Sequence, residues 1–71
     1  MSIWGEVGVA AGLVHDALKD KGEPMGIHEL SKLTGLDSST VYMALGWLLR
    51  EYKVTVDRDG RRYLISLGRK G

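Results

Sequence analysis

The sequence predicts a small α+β fold, mainly helical: a three-helix core, a short strand at 25–27 and a C-terminal two-stranded β-hairpin. Three observations carry this prediction. Apolar residues recur at helical spacing in two runs between Ile27 and Arg50, separated by a glycine stop and an acidic start. From Lys53 the apolar period drops from about 3.6 residues to about 2, on either side of Asp59-Gly60. Ahead of both lies a long amphipathic run with Gly22 and Pro24 at its end.

The first helix is expected over about residues 2–21. Ile3, Val7, Ala10, Val14, Ala17 and Leu18 form one apolar stripe for packing against the other helices. Gly5, Gly8 and Gly12 are unexpected there, because each glycine in a helix interior is destabilising by about 0.5–1 kcal/mol relative to alanine. They lie along one side with Ala11 and His15 adjoining, where missing side chains allow a second copy of the helix to approach. The alternative is a helix that starts near Val7 or Val9. Met25 to Ile27 is short and extended, and as a third strand it would relieve the marginal stability of an isolated hairpin.

The second helix is expected over about residues 28–34, with Leu30 and Leu33 on one face, Gly35 as its stop and Leu36 after it. Asp37 then sits as an N-cap whose carboxylate can accept from the backbone N–H near Thr40. The third helix, over about residues 38–52, turns Val41, Ala44, Leu45, Leu48 and Leu49 inward. Ser39, Tyr42, Met43, Gly46, Trp47 and Arg50 look outward. In the hairpin, expected over about residues 53–67, Val54 and Val56 share a side and Tyr63, Ile65 and Leu67 alternate beyond the turn. Residues 68–71 are expected to fray.

Helix, turn, helix and hairpin in this order, carried by TGLDSSTVYMALGWLLREYKV and DRDGRRYLISL, resemble the winged helix-turn-helix superfamily. More narrowly, the chain resembles small stand-alone winged-helix proteins of prokaryotes, most of which carry no assigned function. The resemblance covers nearly the whole chain. It implies a single winged-helix domain over residues 1–71 and a third helix placed to enter a DNA major groove. It does not by itself imply DNA, since winged helices also bind RNA and dock on proteins.

The formal charge of +1 conceals an asymmetry. Residues 1–52 carry a net −3, whereas residues 53–71 carry a net +4. Arg58, Arg61 and Arg62 surround the hairpin turn, where guanidinium groups can meet phosphates, although Asp57 and Asp59 partly neutralise them. The outward face of the third helix contrasts with this. Base-reading helices carry Arg, Lys, Asn or Gln, and here Arg50 alone is of that kind. Ser39, Thr40 and Tyr42 can contact phosphates, which position a protein without specifying sequence. Met43 and Trp47 beside Tyr42 would form an apolar patch of the sort found at protein interfaces, unless Trp47 folds back onto the hairpin or the first helix.

Two functions follow. One is a small nucleic-acid-binding protein, a transcriptional regulator with weak, mostly backbone-directed binding to double-stranded DNA through Ser39, Thr40, Tyr42, Met43, Arg50, Arg58, Arg61 and Arg62. The other is a homodimer or protein-docking module using Gly5, Gly8, Gly12, Tyr42, Met43 and Trp47. Catalysis is not expected: His15 and His28 lie in different elements, and no nucleophile elbow, phosphate-binding glycine loop or zinc-ligand spacing is present. No cofactor, metal or small-molecule ligand is expected. No apolar run reaches the roughly 18 residues of a membrane span, the N-terminus lacks the charge of a signal peptide, and the cytoplasm is the default location.

Overall fold

Helix α1 (Ile3–Lys21) opens the described part of the computed structural model, residues 3–68. The expected helix start at Ser2 and the fraying of residues 69–71 lie outside the described residues. α1 lays Ala10, Ala11, Val14 and Leu18 into the core and runs without a break through Gly5, Gly8 and Gly12, so the late-start alternative does not hold. It ends at Gly22, whose backbone at φ +73° donates its N–H to the Leu18 carbonyl at 3.0 Å.

Strand β1 (Met25–Gly26) leads directly into α2 (Ile27–Thr34). Ile27 was expected to close the strand and instead opens the helix, because the extended backbone of Gly26 serves as the N-cap. Leu30 is fully buried but Leu33 is 60% exposed. Sharing a helical face was not enough: α2 is short, and its packed stripe is too narrow to cover both leucines. Leu36, just past the turn, packs on the core instead. Gly35 makes that turn at φ +77°, donating to the Ser31 carbonyl at 2.9 Å.

Helix α3 (Ser38–Arg50) buries Val41, Ala44, Leu45 and Leu48. Leu49, expected inside with them, is 43% exposed, since it lies a step further round the helix toward the sheet. The helix also ends two residues before its expected end. Tyr52 takes up φ 60° and donates to the Leu49 carbonyl at 3.0 Å while Lys53 donates to that of Leu48 at 2.9 Å. This is the Schellman closure, with a tyrosine at the left-handed position that glycine usually fills.

Strands β2 (Val54–Asp59) and β3 (Arg62–Leu67) form the antiparallel hairpin, and β1 pairs antiparallel with β3, giving the sheet order β1-β3-β2. Asp59 pairs with Arg62, so the two-residue loop is Gly60-Arg61 rather than the expected Asp59-Gly60. Gly60 alone of the loop pair has positive φ (+65°), which matches a type II′ turn with glycine at its first central position. Val54, Val56, Tyr63 and Ile65 face the helices, with Ile65 fully buried. Gly68, expected to fray, is instead held at the hairpin's base, where its N–H donates to the Lys53 carbonyl at 2.6 Å.

Candidate nucleic-acid interface

The N-terminal end of α3 is occupied by its own cap. The Asp37 carboxylate accepts the Thr40 backbone N–H at 2.9 Å and the Ser39 hydroxyl at 3.1 Å. Hydrogen bonds from the Thr40 side chain, the Thr40 backbone and Ser39 hold the Asp37 carboxyl below its ordinary value. A carboxylate here complements the positive end of the helix dipole and repels a phosphate at the same spot. Ser39 and Thr40 were expected as phosphate contacts. Both remain beside the outward face, but their polar groups are turned to Asp37.

Toward the sheet, α3 is tied to the hairpin by aromatic contacts. Tyr42 meets Tyr63 of β3 edge-to-face, with ring centroids 6.4 Å apart and planes at 86°. Arg58 of β2, directly opposite Tyr63, donates from Nη2 to the Tyr63 hydroxyl at 2.8 Å, and its guanidinium carbon lies 5.1 Å from that ring's centroid. This is cation–π geometry. Arg61 and Arg62 line a cleft of about 410 Å³ together with Tyr42, Tyr63, His28 and the start of α2. Arg62 lies over Gly26: a Cβ added to that glycine would stand 3.1 Å from the Arg62 Nη2. Arg50 is exposed at the far end of α3.

Toward α1, the same helix is apolar. Trp47 packs edge-on against Trp4, centroids 6.0 Å apart, and is 37% exposed. Of its two expected partners it therefore takes the first helix and not the hairpin. Ile3, Trp4, Val7, Met43 and Trp47 line an apolar cleft of about 260 Å³. Gly8 and Gly12 line a neighbouring cleft with His15, Trp47 and Lys53, and a Cβ at either glycine would meet nothing within 4 Å. Gly5 belongs to the same helix further toward its start. The α3 face thus divides into a wing side with Tyr42 and the arginines and an α1 side with Met43 and Trp47.

Tyr63, Trp4 and His28 had no functional place in the sequence reading. Tyr63 was hidden by the turn assignment. With Asp59-Gly60 as the loop, Arg58 would pair with Arg61; with Gly60-Arg61 it pairs with Tyr63. Cross-strand pairing was the signal, and it needed the correct loop. Among the described residues, no group of three or more His, Cys, Asp or Glu side chains is placed to hold a metal ion. No described helix is long and apolar enough to cross a membrane.

Three helices, a three-stranded antiparallel sheet and a hairpin standing beside the outward helix define a winged-helix protein. The chain belongs to the family described as Winged helix-turn-helix domain (DUF2582), whose model matches residues 2–67. It is 33% identical over 66 residues to the uncharacterized protein MJ1608 of Methanocaldococcus jannaschii, covering 92% of this chain and 94% of that one. The solution structure of protein BT2368 from Bacteroides thetaiotaomicron is similar at 32% identity and a TM-score of 0.82, over 93% of this chain and 79% of that one. Bordetella bronchiseptica BpsR, a protein whose DNA binding is regulated by 6-hydroxynicotinic acid, is similar at 28% identity and a TM-score of 0.76. That likeness covers 82% of this chain and 42% of BpsR.

Proposed function

We propose that this protein binds double-stranded DNA and acts as a small transcriptional regulator, holding the duplex mainly by its phosphate backbone. The carrying observation is the wing side of α3, where Arg58, Arg61 and Arg62 gather with Tyr42 and Tyr63 at one edge of the helix. The likeness to BpsR, itself DNA-binding, supports the same reading. Arg61 and Arg62 supply charge for phosphates, Arg50 supplies it at the other end of α3, and Asp37 excludes a phosphate from the helix N-terminus. Such binding is salt-dependent, because phosphate contacts release condensed counterions. Titration of labelled random-sequence duplex at about 50 mM and about 200 mM salt tests it: saturable binding at the lower salt that weakens steeply at the higher is expected. Absence of binding at the lower salt would remove the proposal.

A second reading has its own observation. The apolar cleft of Ile3, Trp4, Val7, Met43 and Trp47 adjoins the bare backbone at Gly8 and Gly12, a surface suited to another protein or a second copy of the chain. Light scattering of the parent beside Gly8→Leu tests this. A parent mass of two chains that falls to one in the variant supports association of two copies through α1, and a single-chain parent rejects that self-association.

A further inference from the structure

The outward face of α3 carries Arg50 near its end and no Lys, Asn or Gln, so the helix itself has few groups with which to read a base edge. Another guanidinium is brought to this face from the wing. Arg58 stands opposite Tyr63 in the hairpin register, donates to its hydroxyl at 2.8 Å and lies against its ring. Tyr63 in turn meets Tyr42 of α3. The wing arginine is thereby tethered to the helix through two tyrosines.

A phosphate does not require such a tether. Lysine meets a phosphate as a point charge and a mobile arginine fork grips one bidentately, whereas a base edge takes the fork only in its own plane, which rewards a fork held in place. Arginine has five N–H donors, and the Tyr63 hydroxyl occupies one Nη2 donor, leaving a fork able to span two acceptors. The major-groove edge of guanine presents such a pair, N7 and O6. Holding the fork in advance also reduces the rotamer freedom lost when the contact forms.

We infer that Arg58 is the specificity-determining residue of this face, directing its guanidinium at a guanine edge, and that Tyr63 is the residue that positions it. This rests on the reading of the α3–wing face as a DNA surface. Its consequence is a modest sequence preference within otherwise backbone-directed binding. Arg61 and Arg62 contribute affinity to every duplex, and Arg58 discriminates among them.

The test selects duplexes from a random pool with the unmodified protein, then compares the selected duplex with its scrambled counterpart. One bidentate contact predicts a preference of roughly 5- to 150-fold. Arg58→Lys keeps the charge and a donor for guanine but loses the pre-organised fork held by Tyr63, and the preference should fall several-fold with the salt dependence nearly unchanged. Tyr63→Phe keeps the ring and its contact with Tyr42 but removes the hydroxyl acceptor, and part of the preference should go. Arg61→Gln should weaken both duplexes alike and lower the salt slope by about 1. Thermal melts followed by circular dichroism establish that each variant is folded. If folded Arg58→Lys keeps the full preference, or the unmodified protein selects no sequence, the inference is overturned while DNA binding stands. If the unmodified protein binds no duplex at all, the DNA reading fails and the inference with it.

Discussion

Replacing Arg61 and Arg62 together by glutamine tests the proposal that the wing holds DNA by its phosphates. Both side chains are exposed, and both line the cleft beside Tyr42, so their charge can be removed without opening the core. With Arg50, Arg61 and Arg62 as the backbone-contacting cations, about three phosphates are neutralised, and log K should fall with log salt at a slope of about −2.7. Between about 50 and about 200 mM salt this amounts to roughly 40-fold in affinity. The double variant retains about one such contact, so its slope should be about −0.9 and its loss over the same range roughly 3.5-fold. Fluorescence anisotropy on a labelled duplex at four or more salt concentrations measures both slopes. A double variant with the parental slope would refute the assignment of these arginines to the phosphate backbone, because counterion release depends on the number of contacts and not on their detailed geometry.

Stability predictions follow from the joint between α3 and the sheet. A Cβ at Gly68 would lie 2.7 Å from the Tyr52 carbonyl oxygen and 2.8 Å from the Lys53 carbonyl carbon, backbone atoms that cannot step aside. Gly68→Ala should therefore lower the unfolding free energy by about 1–3 kcal/mol in urea titration. Tyr52→Gly should act the other way. The left-handed conformation is unfavourable for a side chain by about 1–2 kcal/mol, partly offset by glycine's greater freedom in the unfolded chain, so a net gain of about 0.5–1 kcal/mol is expected. A lower urea midpoint for this variant would show that the Tyr52 side chain, 88% exposed, contributes more than its strain. For Asp37, hydrogen bonds from Thr40 and Ser39 lower the folded-state pKa, so the stabilisation is complete above the ordinary aspartate range and disappears as pH falls below it. Asp37→Asn keeps a capping side chain but cannot titrate; thermal melts across acidic pH should show a shallower decline for the variant than for the parent.

Periodicity made much of the architecture legible. The change from helical to alternating spacing at Lys53 separated the wing from α3, and Gly35 with Asp37 marked the turn between α2 and α3. The outward set Ser39, Tyr42, Met43, Gly46, Trp47 and Arg50 is exposed in the fold. Leu33 and Leu49 were misplaced for one reason. Spacing reports which residues share a helical face, but not how much of that face a neighbouring element covers.

By itself the sequence determined a winged-helix chain with an acidic body, a basic wing and a third helix poor in base-reading side chains. These properties depend on local spacing, caps and composition, which act within a few residues of one another. Only the tertiary structure decided which side of α3 takes Trp47 and which takes the wing, and that Arg58 rests on Tyr63. Both outcomes depend on contacts between elements. The Arg58–Tyr63 pair exists because the loop is Gly60-Arg61: moving the loop back by one residue would leave Arg58 opposite Arg61, replacing an aromatic partner with a like charge.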